Sequence, residues 1–318
     1  SRRTEILGAL SAGSLVVLFC LILLWHNPLV FWNDDYELSV LPVFADMARS
    51  WSEGHWPLLS PHSWVCGNLA GEFQYGTFSL FVNAAVVLIW KFPLTFSQQA
   101  AALSIAHLFA LAIGAYLLGR DRGFSIALSI FVALIASLGG WIICWGATDW
   151  FGALGAFTWL PWAWWGAERA LDSQRTKWRF VWPAPFVYLL VTGGFPYTVL
   201  MLLLLIAWLS ITSLFQARNV FAILPMLFGV ALGFGLSAPA WLAWLPVITT
   251  LFLIAGFLWA GGGKMDELAN HERRLAALEM KRDSDADKLN VIDVRTARIE
   301  AKLEILVPSN SQQRVSLK

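Results

Sequence analysis

Apolar runs close to 20 residues recur along the chain, at 6–25, 97–118, 125–143, 151–167, 180–195, 197–214, 220–236 and 241–259. Each approaches the thickness of a bilayer's hydrocarbon core when coiled as a helix. In lipid the backbone must satisfy its own hydrogen bonds, which leaves helices as the natural solution for such runs. The expectation is therefore an all-α membrane protein with about eight transmembrane helices. Composition agrees: 58% of the 318 residues are hydrophobic and 14% charged, against about 25% charged in a soluble domain. The 19 Trp and 22 Phe suit a chain that meets two membrane interfaces. A net charge of +1 points to no nucleic-acid partner. The cysteines Cys20, Cys66 and Cys144 have no spacing that reads as a zinc site or disulfide framework.

Orientation follows from the positive-inside rule. The first run has Arg2 and Arg3 before it and no small-residue cleavage site after it. It is longer than a signal-peptide core, so it reads as a retained span with its N-terminus inside. The shorter run 79–92 decides the rest. Counted as a span, it puts Arg120, Arg122, Arg169, Arg175, Lys177 and Arg179 outside. Treated as interfacial or re-entrant, it leaves nine cations inside (those six with Arg2, Arg3 and Arg218) and only Arg49 and Lys91 outside. Both termini are then cytoplasmic. Because the chain starts at Ser1, a natural N-terminus further upstream is expected.

Charge also divides the chain. Residues 260–318 hold 11 of the 22 basic and 10 of the 21 acidic side chains. The expected organisation is a membrane body at 1–246 with an outer loop at 26–96, a last span and Gly hinge at 247–263, a cytoplasmic coiled coil at 264–306 and a disordered tail at 307–318. In 264–306, heptad position a takes Leu268, Leu275, Arg282, Leu289, Thr296 and Leu303. Position d takes His271, Leu278, Asp285, Ile292, Ile299 and Leu306. Eight of these twelve are apolar, which suits a two- or three-stranded coiled coil broken midway by Arg282 and Asp285. The alternative is a lone helix laced by i,i+4 ion pairs.

Chemistry is expected in the outer loop. Asn33-Asp34-Asp35-Tyr36-Glu37 comes directly after the first span. Clustered carboxylates at a membrane surface can act as a general base or hold a divalent cation such as Mg or Mn, with Asp34, Asp35 and Glu37 as donors. They equally suit a helix start, with Asn33 as N-cap and acidic residues in the first turn. Leu38, Leu41, Ala45, Ala48 and Trp51 then share one face of a surface-lying helix, which Pro42 weakens. Gly67, Gly71 and Gly76 punctuate the stretch around Glu72 and Gln74, permitting close backbone approach to a ligand. Arg49, His55, His62, Glu72 and Asp149 are candidates for substrate contact. His107, inside the second span, is a functional candidate by its placement and equally a glue between helices.

Several stretches together resemble the bacterial membrane protein family called YfhO. They are the Asn33–Glu37 cluster with Leu41-Pro42-Val43-Phe44, Gly54-His55-Trp56-Pro57-Leu58, Gly119-Arg120-Asp121-Arg122-Gly123, Trp159-Leu160-Pro161-Trp162-Ala163, Gly193-Gly194-Phe195-Pro196-Tyr197 and Leu236-Ser237-Ala238-Pro239-Ala240. The resemblance covers about residues 5–246. That family is similar to the GT-C membrane glycosyltransferases, which implies transfer of a sugar from a polyprenyl-phosphate donor to an envelope glycan or lipid on the outer face of a bacterial cytoplasmic membrane. It implies an acidic base in the first outer loop, which falls on Asp35 or Asp34. After the Ser237 landmark the chain departs from the pattern, so a shortened body is expected. Residues 247–318 resemble small phage-type proteins with one span and a coiled coil, joined by natural fusion or by an assembly join. The rival readings are a non-enzymatic scaffold that oligomerises through its coiled coil and a transporter with His107 and Asp149 on its path.

Overall fold

The structure, a computed structural model, describes residues 2–33, 35–60, 68–71, 73–172, 177–217, 220–242 and 265–306. The chain is all-helical, with no strand among the described residues. It divides into two compact units, Ser1–Pro246 and Val247–Lys318.

In the first unit the long helices are α1 (Arg2–His26), α4 (Phe96–Asp121) and α9 (Pro196–Ala217). At 1.5 Å per residue they extend roughly 37, 39 and 33 Å, enough to cross a hydrocarbon core of about 30 Å. Among the described residues these three are long and apolar enough to span a membrane. The other apolar runs form shorter helices. α3 (Leu80–Ile89), α5 (Ile126–Leu138) and α10 (Leu224–Leu236) have 10, 13 and 13 residues. The run 151–167 is divided into α6 (Phe151–Phe157) and α7 (Leu160–Leu171), where Pro161 opens the second helix. α8 (Ala184–Thr192) and α11 (Ala238–Leu242) are shorter still. The apolar run 241–259 lies almost wholly outside the described residues.

α1 and α4 run antiparallel in close contact. Gly8 and Gly13 of α1 let Tyr116 and Phe109 lie against its backbone, as small residues do between membrane helices. Glu5, in the first turn of α1, accepts two hydrogen bonds from Arg120, in the last turn of α4, at 2.6 and 2.8 Å. Asp121 accepts two from Arg169 near the end of α7, at 2.7 and 2.9 Å. Arg122 pairs with Glu168 and stacks over Trp164, while Arg169 stacks over Trp165. The start of α1 and the ends of α4 and α7 thus share one charged end of the bundle. The aromatic rings of Trp141, Trp145, Trp150 and Phe195 gather in the turns after α5 and α8.

The helix after the first span differs from its expected form. Residues Tyr36–Val40 are a π-helix, continued by α2 (Leu41–Ser52). Its wider turn shifts the phase of the α2 turns relative to a regular helix. The buried face therefore carries Tyr36, Val40, Leu41, Val43, Phe44 and Met47, while Leu38 is 71% exposed. Pro42 sits in the first turn of α2, directly after the π-turn. Asn33 is not the cap; Asp35 occupies that position, with no side-chain capping bond.

The second unit contains α12 (Met265–Leu306), one 42-residue helix. From Glu272 to Lys302 all its side chains are exposed.

Candidate active site at the Asp35 cleft

The π-helix positions Asp35. Tyr36, fully buried, is its anchor: the hydroxyl donates to the Ala100 carbonyl at 3.3 Å and its ring meets Phe151 edge-on at 5.7 Å. Ser104 of α4 lies 3.3 Å from the same hydroxyl and donates to the Ala147 carbonyl at 2.7 Å. The start of the π-helix, α4 and the turn after α5 are thereby tied together. Burial pushes the Tyr36 phenol well above its ordinary value, so it stays a neutral donor. The neighbouring Asp35 side chain is exposed and makes no ion pair or hydrogen bond among the described residues.

Asp35 lines a cleft of about 460 Å³ together with Leu38, Ser39, Val40, Gln74, Tyr75, Trp150 and Gly152. Three sequence segments converge there. The wall carrying Gln74 and Tyr75 is a short 3-10 turn, Phe73–Tyr75, with Gly76 after it at φ +64°. It is pinned from behind. Thr77 Oγ1 donates to the Leu69 carbonyl at 3.0 Å, and Asn83 Nδ2 donates to the carbonyls of Thr77 and Ser79 at 2.9 and 2.8 Å. Tyr188 of α8 donates to the Phe78 carbonyl at 2.5 Å. Gly152, at the start of α6, lies so close that a Cβ there would sit 2.6 Å from the Gln74 carbonyl oxygen. Tyr75 is 1% exposed and its hydroxyl has no hydrogen-bond partner among the described residues. A buried hydroxyl without a partner is costly, and here it belongs to a residue of the cleft wall.

The other candidates are dispersed. Asp149 is half-buried beside Trp150 and is not among the described residues lining the cleft. His55 is exposed just past α2. Arg49 is held by Asp46, which is 6% exposed and accepts from Arg49 Nη2 at 2.6 Å and from the Ser60 hydroxyl. Arg49 and Lys91 line a second cleft, of about 470 Å³, with Trp51 and Trp90. No Lys or Arg is among the described lining of the Asp35 cleft. His107 is fully buried between the rings of Phe81 and Phe151, bonded through Nδ1 to the Leu103 carbonyl at 2.8 Å, with Nε2 unpartnered among the described residues. Asp34, His62 and Glu72 lie outside the described residues. Among the described residues no three His, Cys, Asp or Glu side chains converge as a metal site requires; the donor set read from Asp34, Asp35 and Glu37 includes Asp34, which lies outside them. The residues that sequence reasoning missed at the cleft are Ser39, Gln74, Tyr75 and Trp150. The glycine punctuation at 67–76 was the one signal pointing toward Gln74 and Tyr75.

The class these observations define is an all-helical protein with three apolar helices of membrane-spanning length and an acidic, aromatic cleft. No family model, curated protein or solved structure matches the chain.

Proposed function

We propose that the first unit is a GT-C-like glycosyltransferase of a bacterial cytoplasmic membrane, with about eight spans, both termini cytoplasmic and the Asp35 cleft on the outer face. In this reading Asp35 takes the proton of an acceptor hydroxyl. The freed oxygen bonds to the anomeric carbon, the bond from that carbon to the phosphate oxygen breaks, and its electron pair leaves with the polyprenyl phosphate. The observation that carries the reading is the cleft itself, where an exposed carboxylate faces Trp150, a natural stacking surface for a sugar ring, and the wall that carries the unpartnered Tyr75 hydroxyl. The acceptor is an envelope glycan or lipid, and no step is routed through a metal.

The test is sugar transfer in membranes from radiolabelled polyprenyl-phosphate sugars. Wild type, Asp34→Asn, Asp35→Asn and a chain stopped at Gly262 are compared. The expected result is loss of transfer by at least about 100-fold in Asp35→Asn, the usual contribution of a general base, with transfer kept by the shortened chain. Full transfer by both Asp variants overturns the assignment. The leaving phosphate needs positive charge, so Arg49→Gln and Lys91→Gln ask whether the second cleft supplies it. A second reading, a non-enzymatic scaffold, is favoured by the exposed length of α12 and expects the reverse: indifference to Asp35 and dependence on the tail.

A further inference from the structure

In the heptad frame, α12 carries an asymmetry in its charges. After Glu267 in the first turn, the g positions are Arg274, Lys281, Lys288, Arg295 and Lys302, all basic. After Met265 at the helix start, the e positions are Glu272, Glu279, Ala286, Asp293 and Glu300, all acidic but one. Between these two rows run the exposed apolar side chains of Leu275, Leu278, Leu289, Ile292 and Ile299. Each is more than half exposed in the single chain, and together they form one seam along the helix.

We infer that this seam is covered by a second copy of α12, parallel and in register. The charges decide the orientation. In a parallel pair each g residue faces the e residue of the partner's next heptad. Arg274 then meets Glu279, Lys288 meets Asp293 and Arg295 meets Glu300, once on each side of the seam, against one like-charged contact, Glu267 with Glu272. In an antiparallel pair g faces g and e faces e, so most flanking contacts set like charges together. In the flanking rows attraction in one arrangement and repulsion in the other add, and in this proposal they outweigh the like-charged layers that Arg282 and Asp285 form within the parallel seam. The interruption of the seam sets the number of strands. Arg282 and Asp285 stack on their own counterparts in a parallel pair. Charged layers tolerate the thin, water-edged seam of two helices, because the long Arg stem reaches out to solvent. Enclosed by more helices they would meet the full cost of desolvation. Ile at d beside Leu at a pulls the other way, toward larger bundles, and the two charged layers outweigh it. The ion pair within the single helix, Lys288 to Asp285 at 3.3 Å, joins side chains 71% and 54% exposed, so it is exchanged at little cost.

The test uses the full chain in detergent micelles, with Cys20, Cys66 and Cys144 replaced by Ser or Ala. Leu278→Cys and Thr296→Cys are introduced separately and oxidised mildly. In the parallel pair position 278 faces 278, so Leu278→Cys crosslinks to itself. In an antiparallel pair centred on the helix, 278 faces 296. Crosslinking only in a mixture of the two variants therefore overturns the orientation. Arg274→Glu, Lys288→Glu and Arg295→Glu, all at exposed positions, combined leave the helix unstrained and turn six attractive contacts repulsive. The dimer dissociation constant is expected to rise on the order of 100-fold, with the effect fading at high salt. A wild-type chain that stays monomeric by light scattering, or a trimer or larger bundle, overturns the proposal.

Discussion

Asn83 is the residue whose removal should most clearly separate tertiary from local stabilisation. It is 4% exposed on α3 and uses its whole amide. Nδ2 donates to the carbonyls of Thr77 and Ser79 at 2.9 and 2.8 Å, and Oδ1 accepts from Trp51 Nε1, on α2, at 2.7 Å. Asn83→Ala removes all three. The Ser79 carbonyl keeps the Asn83 backbone N–H at 3.0 Å, while the Thr77 carbonyl loses its side-chain donor and Trp51 loses its acceptor. At about 1 kcal/mol net per hydrogen bond, the loss is about 3 kcal/mol. Trp51→Phe removes one of the three and is expected to cost about 1 kcal/mol through that bond. A double-mutant cycle should return a coupling near 1 kcal/mol, since the two substitutions share one bond. Asn83→Asp keeps the acceptor for Trp51 but points a carboxylate at two carbonyls. It should be worse than Ala near neutral pH and recover in acid as the carboxyl gains a proton. Reversible unfolding of the full chain in mixed detergent micelles, monitored by Trp fluorescence, measures each. Because Asn83 holds the stretch of backbone carrying Gln74 and Tyr75, sugar transfer should fall with it. A cost below about 1 kcal/mol for Asn83→Ala, or zero coupling to Trp51, refutes this account of the cleft wall.

The same wall and floor carry two more expected outcomes. Gly152→Ala places a methyl 2.6 Å from the Gln74 carbonyl oxygen, a backbone atom with no room to rotate away; an overpacking cost of about 1–3 kcal/mol and reduced transfer are expected, and unchanged stability with full transfer counts against so tight a packing. Tyr36 has its phenol pKa raised by burial, so the folded state keeps a proton that the unfolded state releases above the ordinary value of 10.0. The stabilisation is complete below that pH and is lost as pH rises, at up to about 1.4 kcal/mol per unit. Tyr36→Phe should flatten the alkaline part of the stability curve, and an unchanged slope in that variant would assign the effect to another group.

Much of the fold was legible because membrane helices answer to a simple local rule. Apolar runs give α1, α4 and α9 within a few residues, since lipid leaves the backbone no partner but itself. Pairings of charge were not legible. Glu5 and Arg120 are 115 residues apart and Arg122 and Glu168 are 46 apart, and nothing in their local patterns joins them. The offset of the 36–52 helix was hidden for a different reason. A π-turn adds one residue to the hydrogen-bonded ring, and a search for 3.6-residue spacing assigns Leu38 to the buried face when Tyr36 and Val40 occupy it. At the cleft, Asp35 stood out as an acid beside a span, whereas Trp150 and Tyr75 looked like ordinary interfacial aromatics.

By itself the sequence determined the class of molecule: an apolar, helical body with helices long enough to span a membrane, an acidic segment directly after α1, and a charged helix whose seam and flanking rows are written in its heptads. Those are properties of local composition and periodicity, and they hold whatever the partners are. Only the tertiary structure decided that Asp35, Gln74, Tyr75 and Trp150 share one cleft, that the Ser60 hydroxyl reaches the buried Asp46, and that His107 is enclosed by Phe81 and Phe151. Such meetings depend on which helices pack together and at what depth, and close packing of side chains against distant backbone fixes them.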